Sequence, residues 1–102
     1  MSYFDVQGYK YYIEKDIRPG SNKKYVAIPL FTEHKPIYFG DKRYQHFYDQ
    51  IGEFSYLNHL DTRRKINYHK RHSAISKKLN GKIIKAIDDP LSPAFLSYYL
   101  LW

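Results

Sequence analysis

Apolar and polar positions change rhythm along this chain, from near-alternation in the first forty residues to mixed three- and four-residue spacing after them. The stretch YFDVQGYKYYIEKDI is aromatic and β-branched with partial alternation, and predicts one or two strands around Gly8. RPGSNKK, from Arg18 to Lys24, is a turn, because Pro19-Gly20 breaks regular structure and Ser21-Asn22 continues the break. YVAIPLF, from Tyr25 to Phe31, predicts the next strand. Pro29 cannot donate to a ladder, so that strand is expected at an edge or at a bulge. Ile37-Tyr38-Phe39 is a short strand closing at Gly40. Residues 1–40 thus predict a small antiparallel β-meander.

After Gly40-Asp41 the spacing turns helical. Tyr44, Phe47 and Tyr48 fall at i, i+3 and i+4, a short helical signature that Gly52 would end. A main helix is expected from near Asp61 to about Leu79, with Asn80-Gly81 as its C-terminal cap. Lys82 to Ile87, KIIKAI, is a weaker apolar run, and Asp88-Asp89-Pro90 interrupts the chain. Ser92-Pro93 is an N-cap followed by a proline at the first helical position, opening a final turn or two over AFLSYYLLW. The expected class is α+β: a small antiparallel β-meander, a basic helix and a short aromatic C-terminal helix or turn. One small domain over 1–102 is expected, with the meander at 1–40, a helical region at 41–80 and the aromatic segment at 81–102.

Composition adds three constraints. Mean hydropathy is -0.67 although 43% of residues are apolar, because 12 tyrosines and 17 Lys+Arg dilute the aliphatics. Tyrosine buries a ring and keeps a polar hydroxyl, which suits small cores and interfaces. Cysteine is absent, which removes disulfides, thiolate nucleophiles and Cys-ligated metals. Neither a spanning apolar stretch nor a leader-like N-terminus occurs, so a soluble chain, intracellular at synthesis and unprocessed, is expected. The net charge of +7 is unevenly placed. Residues 61–85 hold nine Lys/Arg and one acid, whereas the rest of the chain is close to neutral. Such a block points to an acidic partner, whether phosphate, a carboxylate-rich protein or an anionic surface.

HLDTRRKINYHKRH, from His59 to His72, concentrates this block. At 100° per residue Asp61, Arg64, Lys65, Tyr68, His72, Ile75 and Leu79 share one face, with Ile66 beside Arg63 and Lys70 nearly opposite. The helix should therefore make contacts on two sides, with Tyr68, Ile75 and Leu79 inward and Arg63, Ile66 and Lys70 outward. Asp61 would pair with Arg64 and Lys65. His69 and His72 are three apart, but scarce carboxylates and flanking cations disfavour a zinc site, so no metal is expected. No nucleophile elbow, phosphate-cradling glycine loop or HExxH element is present, and nothing marks His46, Asp49 or Glu53 as an acid–base site. Neither a catalytic residue nor a cofactor is expected, and no small-molecule substrate. The apolar ending PAFLSYYLLW must dock on its own domain or insert into a neighbour.

Two motifs together carry a family resemblance. His59, Asp61, Arg64, Lys65, Tyr68, Arg71 and His72 match H-x-D-x-x-R-K-x-x-Y-x-x-R-H. Pro93, Phe95, Ser97, Tyr99, Leu100, Leu101 and Trp102 match an ending (S/T)-P-G-F-W-S-x-(W/Y)-L-L-W, with Ala94 and Leu96 where that pattern has Gly and Trp. Phe39-Gly40 before Tyr44 is similar to a strand-ending F-G element. The chain resembles, over roughly residues 35–102, small basic proteins of large nucleocytoplasmic DNA viruses (giant viruses). The resemblance implies a viral protein and a virion component. Together with the basic helix and the aromatic tail, the expected function is a non-enzymatic minor capsid or capsid-associated protein, made in the host cytoplasm and carried in the virion. Arg63, Arg64, Lys65, Lys70 and Arg71 would then form an electrostatic interface with other virion proteins, and Phe95, Tyr98, Tyr99 and Trp102 a hydrophobic one. The alternative is a nucleic-acid-binding protein contacting phosphates through residues 61–85.

Overall fold

The computed structural model describes residues 2–102. Four antiparallel strands form a meander in the order β1 (Ser2–Val6), β2 (Tyr9–Lys15), β3 (Lys23–Pro29) and β4 (Ile37–Asp41). Helix α1 spans Thr62–Ser73, a two-stranded sheet of β5 (Ser76–Leu79) and β6 (Lys82–Lys85) follows, and α2 spans Pro93–Leu100. The class is α+β.

The β1–β2 connection is a two-residue hairpin in which Gln7 (φ 53°) and Gly8 (φ 88°) are both left-handed, the pattern of a type I′ turn. Asp5 Oδ1 accepts the Gly8 amide at 2.9 Å and holds it. Pro29 sits in an interior strand, not at an edge. Its register partner is Tyr11 on β2, and β4 reaches only as far as Ala27 on the other side. The missing amide donor therefore faces a position where the neighbouring strand has already stopped.

The buried face of this sheet carries Tyr11, Ile13, Tyr25, Ala27, Ile37 and Phe39. Phe95, Leu96, Leu100 and Leu101 pack on it from α2 and the residue after it, each side chain gaining about 1.5–3 kcal/mol of transfer free energy. Ser92 caps α2, its Oγ accepting the Phe95 amide at 3.2 Å, and Pro93 takes the first helical position. The tail is further stitched down by main-chain bonds. The Phe47 and Tyr48 amides donate to Leu101 O, each at 3.1 Å, and the Gln50 amide donates to Leu100 O at 3.1 Å.

Those bonds explain why the helix expected around Tyr44, Phe47 and Tyr48 does not form. Donors that would serve carbonyls four residues back are taken by residues some fifty positions ahead. Only one 3-10 turn, Ser55–Leu57, interrupts the irregular segment between β4 and α1.

The main helix also ends earlier than its apolar spacing predicts. Asp61 opens it as N-cap, with Oδ1 accepting the amides of Arg63 (2.9 Å) and Arg64 (3.2 Å) rather than pairing with their side chains. The last turn tightens, with the Ala74 and Ile75 amides bonding three residues back. The chain then turns into the β5–β6 hairpin. Asn80 (φ 51°) and Gly81 (φ 81°) are its type I′ turn, not a helix cap. Ile75 and Leu79 consequently lie beyond the helix and are exposed.

Candidate functional site

Every residue of α1 is exposed or half-buried, so its charges are presented rather than hidden. One side rests on α2 through flat ring contacts. Tyr68 is sandwiched between His72 (centroids 3.8 Å, planes 22° apart) and Trp102 (4.2 Å, 4°), and His69 stacks on Tyr98 (4.3 Å, 29°). His69 Nε2 also donates to Trp102 O at 3.0 Å. Burial pushes the Tyr68 phenol up to about 12 and the His72 imidazole below its usual value. These histidines serve packing, and no group of His, Cys, Asp and Glu that could hold a metal occurs among the described residues.

The five basic residues expected to act together are divided by the helix. Arg64 and Arg71 turn toward a cleft bounded by α1, α2 and the β3–β4 end of the sheet. Lys65 lies over the Phe47 ring at 4.5 Å, a cation–π contact within the molecule. Arg63 and Lys70 are exposed on the remaining surface. The hairpin adds Lys78, Lys82 and Lys85, all exposed, while Lys77 is engaged by Asp89 at 2.5 Å. Ile66, Ile75, Leu79 and Ile83 are interspersed with these cations and are 48%, 46%, 40% and 77% exposed.

The aromatic group divides as well. Phe95, at 3% exposure, belongs to the core and offers no surface to a partner, which corrects its assignment to a hydrophobic interface. Tyr98, Tyr99 and Trp102 are half-buried and already occupied by α1, Phe95 and one another. The tail docks on its own domain because its main-chain and ring partners are all local to this fold.

The cleft has a volume of about 520 Å³ and is lined by Lys23, Lys24, Arg64 and Arg71, with Asp41 as its acid. Asp41 is itself held by Arg43 through bonds of 3.0 and 2.7 Å, which lowers its pKa to about 2. Gly40 also lines the cleft and is left-handed (φ 74°). A Cβ there would stand 3.0 Å from Lys24 Cδ and 3.1 Å from Leu101 Cδ1. Glycine thus lets the Lys24 stem and the tail cross β4 closely.

Lys24 is the residue that the sequence did not single out. It is 2% exposed, and its Nζ donates to His46 Nδ1 at 2.7 Å and to Tyr44 O at 3.1 Å. With Nδ1 accepting, His46 is the neutral tautomer whose Nε2–H donates to Asn58 Oδ1 at 2.6 Å. Asn58 Oδ1 also accepts the Asp49 amide at 2.8 Å. Asp49 in turn accepts from the Tyr25 hydroxyl and from the amides of Ile51 (2.8 Å) and Phe54 (2.9 Å). Burial depresses Lys24 to about 8 and, together with the nearby Lys24 charge, depresses His46. It raises the Tyr25 phenol, which donates to the Asp49 carboxylate. Asp49 and His46 are spent on this framework, and neither reaches the surface.

Family models, curated proteins and solved structures were compared with the chain, and none matches it. Among the described residues no helix is long and apolar enough to cross a membrane.

Proposed function

We propose that this protein is a non-enzymatic docking component that attaches to an acidic protein surface through the outward side of α1 and the β5–β6 hairpin. One observation carries the reading: exposed aliphatics stand beside cations, Ile66 one helical turn from Arg63 and Lys70, Ile83 across the hairpin from Lys78 and on the same face as Lys85, and Leu79 paired with Lys82 on its other face. A phosphate backbone rewards cations and gains nothing from isoleucine, whereas an acidic protein surface with apolar ground rewards both. Apolar anchoring thus falls to these aliphatics rather than to the C-terminal aromatics. The resemblance to giant-virus proteins sets the partner in a virus particle, which makes a minor capsid or capsid-associated role the concrete form of the proposal.

Fractionation of purified particles tests it. The chain should stay with the protein shell after the genome is released, and an R63E/K70E/I83D variant should be lost from particles while folding normally. Co-purification with DNA overturns the reading in favour of nucleic-acid binding, as does duplex binding that persists in the I83D single variant and falls steeply with salt.

A further inference from the structure

Lys24 is a buried cation with one unused donor. An ammonium carries three N–H groups. His46 Nδ1 and Tyr44 O take two of them. Among the described residues no carboxylate lies within ion-pair distance of its Nζ. Asp49 and Asp41 answer this charge only from beyond ion-pair distance and do not offset its burial, so an anion brought into the cleft adds to that compensation. Lys24 lines the same cleft as Arg64 and Arg71. Seven residues at about 1.5 Å each separate these arginines by about 10.5 Å along α1, on either side of Tyr68. Both guanidinium groups present planar forks suited to tetrahedral oxyanions. Arg64 spends one donor on Gln45 Oε1 at 3.0 Å and retains the others. The lining holds four Lys/Arg against a single acid, Asp41, whose charge Arg43 already answers. That surplus exceeds what one carboxylate requires and fits a dianion.

We infer that this cleft binds a phosphomonoester dianion, on which Arg64 and Arg71 close from α1 above the buried charge of Lys24. The volume leaves room beyond the phosphate for a small organic group, so the phosphate belongs to a small phosphorylated molecule or to the phosphorylated end of a chain. The site is separate from the docking surface, which uses Arg63, Lys70 and the hairpin. R63E/K70E should bind phosphate like the wild type, so either proposal can fail alone.

Trp102 is the sole tryptophan and lines the cleft, so its emission reports on this site. Titration with inorganic phosphate at constant ionic strength should give a saturable change. R64A and R71A, both at exposed positions, should each weaken binding at least tenfold, and Lys24→Met should weaken it by less. The groups facing Lys24 are Lys23 and Asp41 from the strands, His46 and Asp49 from the irregular segment, and Arg64, Arg71, Tyr68 and His72 from α1. Burial sets Lys24 to lose its proton from about pH 8 upward, so affinity should fall a fewfold between pH 8 and 9.5 in the wild type and stay level in Lys24→Met. A nucleoside monophosphate and a ten-base oligonucleotide lacking terminal phosphates distinguish the sources. Tighter binding of the monophosphate than of free phosphate indicates a small molecule, and equal binding of the two indicates recognition of the phosphate group alone. The inference is overturned if chloride reproduces the emission change, if R64A and R71A titrate like the wild type, or if only the oligonucleotide moves Trp102.

Discussion

Raising the pH from 7 to 9.5 should stabilise this protein through Lys24, and replacing Lys24 by methionine should remove that gain. In the unfolded chain the amine keeps its ordinary pKa of 10.5, whereas in the fold burial lowers it to about 8. Between those values the unfolded state holds the proton and the folded state has released it, so stability rises with pH. Integrated from pH 7 to 9.5, the two pKa values give a gain of about 2 kcal/mol, with the conversion of about 1.4 kcal/mol per unit. For a domain of this size that corresponds to a melting temperature raised by roughly 10 °C. Tyr11, Tyr25 and Tyr68, whose phenols burial raises, act oppositely and begin to cost stability as the unfolded tyrosines ionise near pH 10. They are common to both proteins, so the difference between the wild type and Lys24→Met isolates the lysine. The assay is urea unfolding followed by circular dichroism at several pH values in dilute chloride, without phosphate. Equal pH slopes in the two proteins would refute the claim that burial of the Lys24 cation outweighs the charges of Asp49 and Asp41 near it. The absolute effect of Lys24→Met at pH 7 is a poorer test, because the variant removes a buried charge and also strands the His46 Nδ1 acceptor.

Three further outcomes follow from the packing. Gly40→Ala should destabilise by about 2–4 kcal/mol in chemical denaturation, since it combines a left-handed backbone with close contacts to Lys24 and Leu101. Phe95→Ala should cost about 3–5 kcal/mol as a core deletion, whereas Tyr98→Ala, half-buried against His69, should cost clearly less. An equal loss in thermal melts of both would contradict the division of the aromatic tail. Gly81→Val should loosen the β5–β6 hairpin, seen as faster amide exchange over residues 76–85, with β1–β4 unchanged, because the left-handed turn sits in the small separate sheet.

What the sequence determined by itself is what neighbouring residues decide among themselves. Alternating aromatic and β-branched runs broken by Gly8 and Pro19-Gly20 specify the meander, because strand period and turn conformation are properties of short segments. Asp61 and Ser92 mark both helix starts through amides two or three residues away. Asn80-Gly81 was equally legible in principle. Flanked by SKKL and KIIK it is a hairpin turn, and reading it as a helix cap extended α1 by six residues beyond Ser73. The candidate site depended on distance in the fold. Lys23 and Lys24 are adjacent and alike in sequence, yet one is exposed and the other is sealed beneath Tyr44 and His46. The segment around Tyr44, Phe47 and Tyr48 has helical spacing and forms no helix, because Leu100 and Leu101 claim its amides. Arg64 and Arg71 share a cleft with Lys24 only because the tail folds back and Trp102 stacks on Tyr68. Local spacing encodes periodicity and caps. Which hydrogen-bond donor meets which distant acceptor, and which of two identical side chains loses its water, is settled by the tertiary packing alone.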